Sequence, residues 1–173
     1  MKSALPLFAV LSLTLAACDN PKPRPAAAAA AAAAQAGEPT LGPPGSDGLS
    51  ARPEPAMFAL DLINEAQDPL HRPAAIKGGA PVTFAGWAYD PVAKVGAKGV
   101  DLVIDGVAYG ATYARPRPDV AAYFRNDALG ATGFAATLPS RVLKRGRHKL
   151  VVRVISADGT SYFDSAPAEF RIR

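Results

Sequence analysis

From about residue 57 onward the chain alternates apolar and polar positions with a period of two, in short runs separated by turn residues. Over 100–105, Val100, Leu102 and Ile104 share one face and the two aspartates, Asp101 and Asp105, lie on the other. Asp105-Gly106 then predicts a tight hairpin turn into Val107-Ala108-Tyr109, because the pair tolerates positive φ. Residues 148–155 are rich in β-branched side chains and offer Leu150, Val152 and Val154 to one side. Asp158-Gly159 predicts a second hairpin turn, leading to a last strand in which Ala168, Phe170 and Ile172 alternate with Glu169, Arg171 and Arg173. Strands are also predicted over 81–89, which is almost wholly apolar, over 132–138, and over 57–63. One segment breaks the pattern. Residues 118–124 predict a short helical turn, with Asp119 near its start favouring the free N–H groups. Short strands at this spacing, with no long helical period, predict an all-β sandwich.

Before residue 56 that period is absent. Residues 5–17 form an apolar run, interrupted by Pro6, Ser12 and Thr14 and preceded by Lys2. The run is shorter than the ~20 apolar residues of a membrane span and has the proportions of an export signal. Its end, Leu15-Ala16-Ala17-Cys18, resembles the bacterial lipobox. That resemblance implies diacylglycerol on the Cys18 sulfur, cleavage before Cys18 and, in many bacteria, a third chain on the new amino group. The competing reading is an ordinary signal cut after Ala17, with Cys18 incidental. Cys18 is the only cysteine, which favours lipidation and rules out an intramolecular disulfide. At ~0.8 kcal/mol per buried CH₂, two or more acyl chains hold a protein at a membrane where one does not. Asp19 resembles the inner-membrane retention residue of enteric bacteria, so the expected location is the cell envelope, facing the periplasm, with the inner membrane slightly favoured. Residues 19–55 read as a disordered Pro/Ala-rich linker. The alanine run 26–34 is short and uncapped for a stable helix, and Pro39, Pro43, Pro44 and Pro53 are expected to prevent regular structure beyond it. The expected organisation is a signal peptide over 1–17, a lipidated N-terminus and linker over 18–55, and a β domain over 56–173.

Charge changes this picture little. A formal net charge of +4 over 173 residues argues only weakly for anionic partners. One cluster is denser: Arg141, Lys144, Arg145, Arg147, His148 and Lys149. A solvated turn before a strand is the favoured reading, and a contact for phospholipid head groups or an acidic polymer the alternative. The cluster has no interleaved aromatics, which together with export argues against nucleic acid.

Five motifs then occur in order: Gly86-Trp87-Ala88-Tyr89-Asp90, Val103-Ile104-Asp105-Gly106, Arg117-Pro118-Asp119-Val120-Ala121, Gly133-Phe134 and Gly146-Arg147-His148-Lys149-Leu150. Together they resemble a bacterial immunoglobulin-like domain found in exported and surface proteins, often beside carbohydrate-active modules. The resemblance runs from about residue 58 to 172. It implies an immunoglobulin-like β-sandwich and an envelope location, and no particular chemistry.

Trp87, the only tryptophan, is expected in the core, with an exposed aromatic contact as the alternative. Parity complicates this, because Trp87 and Tyr89 share a face with Ala85 while Val82 and Phe84 take the other; either Gly86 marks a bulge or both faces are buried. Arg117 and Asp119, across Pro118, are expected to form a loop clamp, with ligand recognition as the minority reading. Asp61, Asp90, Asp101 and Asp105 lack the regular oxygen spacing of a calcium loop, and His71 and His148 lie in no metal spacing, so no metal or cofactor is expected. No Gly-x-Ser-x-Gly elbow or phosphate-cradling glycine loop occurs. The expected function is therefore non-enzymatic: a lipid-anchored binding module for an envelope protein or glycan. The alternative is a structural spacer or assembly subunit of an envelope complex. Replacing Cys18 by Ser should move the chain from the membrane pellet to the soluble fraction on cell fractionation; a variant that pellets like the parent would contradict lipid anchoring.

Overall fold

The computed structural model describes residues 41–173. The expected signal peptide, Cys18, Asp19 and the alanine run lie outside the described residues. The strands, in chain order, are β1 (Ser50–Ala51), β2 (Met57–Ile63), β3 (Ala66–Gln67), β4 (Ala75–Ile76), β5 (Val82–Asp90), β6 (Val95–Gly96), β7 (Gly99–Ile104), β8 (Val107–Gly110) and β9 (Thr112–Arg115). The helix α1 (Pro118–Phe124) and a 3-10 turn (Asp127–Leu129) come next, and then β10 (Gly133–Leu138), β11 (Gly146–Ile155), β12 (Ser161–Asp164) and β13 (Ala168–Ile172).

The fold is all-β, in two sheets. In the first, β8, β7 and β11 are antiparallel neighbours, and the far edge of β11 is shared. Its first half, from Gly146 to Leu150, pairs with β13, and its last residues, Arg153 to Ile155, pair with β12. The two-residue strands β4 and β1 run parallel to β13 and β12. The second sheet has the order β3-β2-β5-β10-β9, with β6 also against β5. The Asp105-Gly106 hairpin forms as its residue types require, with φ of 50° and 85°.

Both sheets point their alternate apolar residues into one core. Val100, Leu102, Ile104, Leu150, Val152, Val154, Phe163 and Phe170 come from the first sheet, and Leu60, Ile63, Phe84, Ala88, Phe134, Ala136 and Leu138 from the second. Phe84 and Phe170 meet edge-to-face across it, with centroids 5.5 Å apart. Strand β5 is buried on both faces, which accounts for its nearly continuous apolar run. Val82, Phe84 and Ala88 enter the shared core, whereas Ala85, Trp87 and Tyr89 face the opposite way. The irregularity falls on the partner strand. Leu60 lies opposite Gly86 and Leu62 opposite Ala85, so Asp61 is an extra, bulged residue. Leu60 and Ile63 both reach the core across that bulge. Gly86 is needed for close approach: a Cβ there would lie 2.0 Å from the Ala59 carbonyl oxygen and 2.9 Å from the Phe134 ring.

The expected boundary at residue 55 is corrected by the structure. Residues 41–55 are bound to the first sheet. Gly42 and Gly110 exchange backbone hydrogen bonds, 3.0 and 3.2 Å, at the β8 side. The chain then crosses the outer face of the sheet, where the Asp101 carboxylate accepts from the Gly45 N–H (3.0 Å), the Ser46 N–H (2.9 Å) and the Ser46 hydroxyl (2.6 Å). It reaches the far edge as β1, and the Arg52 and Ala56 N–H groups donate to the Tyr162 and Asp164 carbonyls. The prolines of this strap lack N–H groups, but the donors of Gly42, Gly45, Ser46 and Arg52 find a partner in the sheet. Gly45 sits so close to the sheet that a Cβ would meet Ile155 Cδ1 at 2.6 Å.

Asp101, 1% exposed although it faces outward, holds the strap by three bonds to a charged acceptor. Asp101→Ala should lower stability by about 3 kcal/mol and open residues 46–56 to limited proteolysis. An unchanged urea midpoint with an unchanged digestion pattern would contradict this role.

Candidate functional site

The segment between β9 and β10 lies across the outer face of the second sheet, where Ala85, Trp87 and Tyr89 would otherwise be bare. Seven residues make too short a helix to persist alone in water, so α1 depends on what holds it. The main holder is Arg117. Its side chain is 3% exposed, and its guanidinium forms a fork with Asp119, Nε to Oδ1 at 2.9 Å and Nη2 to Oδ2 at 2.8 Å. Nη1 donates to Asp61 Oδ2 at 2.7 Å. The bulge that puts Asp61 out of register thus supplies the sheet's end of the clamp. The Arg117 backbone is also engaged: its N–H donates to the Gly130 carbonyl (2.7 Å), and its carbonyl accepts from Val120 (3.1 Å) and Ala121 (3.3 Å). Gly133 gives the side chain room, since a Cβ there would lie 3.1 Å from Arg117 Cγ.

The electrostatics arise from burial and contact. Burial disfavours the Arg117 cation, but its bonds to Asp119 and Asp61 outweigh this and hold its pKa above the usual range. The hydrogen bonds from Arg117 hold Asp119 below the ordinary carboxylate range. Asp61 lies deeper, and burial pushes its carboxyl up despite the facing cation.

The clamped segment carries aromatic rings. Trp87 and Tyr89 stack with centroids 6.0 Å apart and planes 10° apart. Phe124 from α1 meets both edge-on, at 5.6 and 5.3 Å, and Val120 and Leu129 close the cluster beneath. Tyr123 stacks edge-on against Phe124 at 4.9 Å and is 81% exposed. Met57, opposite Tyr89, is 40% exposed on the same face, and Trp87, flanked by Ala59 and Gly133, is partly buried. The helix is ended by Arg125 at φ 51°. Asn126 fixes the 3-10 turn beyond it, accepting from the Ala128 N–H at 3.1 Å and donating to the Lys94 carbonyl at 2.8 Å. The result is an aromatic surface on a segment fixed by side-chain bonds, with Tyr123 exposed and Trp87 and Phe124 partly buried, suited to stacking a sugar ring or packing an apolar or cationic side chain.

Trp87 is therefore placed outside the main core, against the expectation, because parity puts it under α1 and not between the sheets. The structure brings Arg117 and Asp119 together and adds Asp61, a partner 56 residues away that local spacing could not reveal. The other aspartates do separate work: Asp101 holds the strap, Asp90 accepts from the N–H groups of Val92, Ala93 and Ala157, and Asp105 accepts from the Lys149 N–H. Among the described residues no three His, Cys, Asp or Glu side chains form a group that could hold a metal ion. His148 leaves the basic cluster: it is 8% exposed, stacked on Phe170 at 5.2 Å, with Asp105 Oδ2 at 2.6 Å and the Lys144 carbonyl at 2.7 Å on its two ring nitrogens. Its parity in β11 turns it inward, while Arg141, Lys144, Arg145, Arg147 and Lys149 are exposed. His71 sits on the surface beside Asp68, 2.7 Å away.

No protein-family model matches the chain, and no curated protein matches it. Among solved structures it is similar to the endo-β-1,4-mannanase from Thermotoga petrophila, with a TM-score of 0.43 and 6% identity over 70% of this chain and 20% of that one. The chain thus spans about a fifth of that protein's length. Likeness at this level assigns neither family nor activity.

Removing Arg117 leaves two carboxylates facing each other without their cation, so Arg117→Ala should cost about 3–5 kcal/mol. Asp119→Ala leaves the guanidinium with Asp61 and should cost less, about 1–3 kcal/mol. Because the folded pKa of Asp119 is depressed, its contribution is present above its unfolded value of ~3.9 and is lost as pH falls through the lower folded value. The gap in urea midpoint between Asp119→Ala and the parent should therefore narrow below about pH 4. A gap that is absent at pH 7, or constant with pH, would contradict the clamp.

Proposed function

We propose that this chain is a lipid-anchored protein of the bacterial cell envelope, attached through Cys18, whose immunoglobulin-like domain is a non-catalytic binding module for an envelope protein or glycan. The aromatic surface of Trp87, Phe124 and Tyr123 is the contact. The reading of the anchor draws on the Leu15-Ala16-Ala17-Cys18 motif, and that of the domain on its five ordered motifs together with two β-sheets around one core.

The observation that carries the binding function is Tyr123. A large ring that is 81% exposed contributes little to folding, yet it stands on a segment fixed by a buried arginine and by Asn126. An exposed aromatic on a fixed segment, beside partly buried rings, lowers the entropy cost of binding. The spacer reading draws on the strap of residues 41–56, which is bonded along the first sheet. The two readings differ in what position 123 touches in the cell. A photoreactive amino acid at position 123 should yield crosslinked adducts in intact cells, whereas the same group at Val107, exposed on β8 of the other sheet, should not. Tyr123→Ala should change stability by less than about 0.5 kcal/mol. No adduct at 123 beyond the Val107 background would favour the spacer.

A further inference from the structure

The strap divides the outer face of the first sheet into unlike halves. Over the half where β11 pairs with β12, residues 42–51 cover the sheet and Asp101 and Asp164 face the cations, Arg153 pairing with Asp164 at 2.8 Å. The half where β11 pairs with β13 is uncovered and strongly basic. Arg147 and Arg171 are direct cross-strand partners, and Arg173 follows Arg171 on the same face of β13. The loop before β11 adds Arg141, Lys144 and Arg145 at the rim, and Lys77 follows β4 beside them. All of these side chains are exposed, and none makes an ion pair among the described residues. Of the nearby acids, Glu169 faces Lys149 in the register, and Asp105 is engaged with His148 and the Lys149 N–H.

Like charges directly opposite on an antiparallel pair are destabilising. An Arg–Arg pair with Glu169 diagonal to it but in ion-pair contact with neither arginine, next to further arginines, is therefore a feature that folding does not require. We infer that this half of the sheet is a second binding surface, and that its ligand is an acidic polysaccharide bearing carboxylate or phosphate groups. Guanidinium groups are the side chains best matched to such groups, because each offers a planar fork of donors. Their spacing across β11 and β13, adjacent strands ~4.8 Å apart, presents a flat row of cations to an extended chain. A membrane surface fits less well. None of the exposed large apolar side chains, Met57, Leu70, Val92, Val107 and Tyr123, comes from β11, β13 or the loop of residues 139–145, so the face has nothing to insert among lipids. The same lack of exposed aromatics removes the stacking platforms that single-stranded nucleic acid uses. The inference rests on the charged face alone and stands or falls separately from the aromatic surface.

The test uses the full chain carrying Cys18→Ser, so that acyl chains do not obscure a vesicle measurement. It should bind immobilised polygalacturonate and release it as salt rises, with no retention on neutral dextran and weaker binding to phosphatidylglycerol vesicles. The double variant Arg147→Gln/Arg171→Gln should bind polygalacturonate at least tenfold more weakly while melting at the same temperature or higher. Lys98→Gln, an exposed lysine whose N–H bonds the Ile155 carbonyl at the opposite end of β11, should bind it unchanged. Should the double variant fold poorly, Arg141→Gln/Lys144→Gln at the loop gives the same readout. Equal retention on dextran, undiminished binding by the arginine variant, or a preference for the vesicles would each overturn the proposal.

Discussion

The outer face of the second sheet depends on one buried cation. Arg117 is almost wholly removed from water and satisfied by three charge-assisted bonds to two carboxylates, one from its own loop and one from the bulge in β2. A cation buried in this way is costly unless its partners are well placed. The fork to Asp119 fixes the start of α1, and the third bond ties that start to the sheet. A seven-residue helix then holds Phe124 against Trp87 and Tyr89, and presents Tyr123 to solvent. Removing the guanidinium removes the reason for the helix to lie where it does.

A second carboxylate plays the corresponding role on the other sheet. Asp101 faces outward, where its position in an alternating strand predicts a solvated residue, yet it is buried because the strap covers it. Both outer faces are thus dressed by non-strand segments held through an aspartate, while the apolar core between the sheets is shared and ordinary in composition. What differs is what each dressing leaves open. On the second sheet it leaves aromatic rings, and on the first it leaves a row of arginines.

The inner faces were legible in the sequence because period two is a direct consequence of the pleat. The alternations at 100–104, 150–154 and 170–172 place their apolar residues in the core as the period predicts, and the Asp-Gly turn at 105–106 follows from tolerated positive φ. The proximity of Arg117 to Asp119 was also legible, since only Pro118 separates them. The Asp61 contact was not, because a bulge shifts register without any local mark in composition. Nor was the pairing of 41–55, whose prolines look like a linker although the Gly45 and Ser46 N–H groups find Asp101 over fifty residues away. His148 stands among charged neighbours in the sequence, whereas strand parity turns it inward onto Phe170. For Asp61 and residues 41–55 the missing information is long-range pairing, whereas His148 shares the parity of Leu150 and Val152 and its inward turn was legible in that alternation.

Hydrogen exchange on the Arg117→Met variant tests the central dependence most directly. The amides of Val120, Ala121, Asn126 and Leu129 are bonded within the clamped segment, whereas those of β5 and β10 belong to the sheet ladder. If Arg117 is what holds the segment down, the first set should lose protection by a clearly larger factor than the second. Equal loss across both sets, or no loss in the segment, would show that packing of Phe124 and Val120 alone keeps the aromatic surface in place.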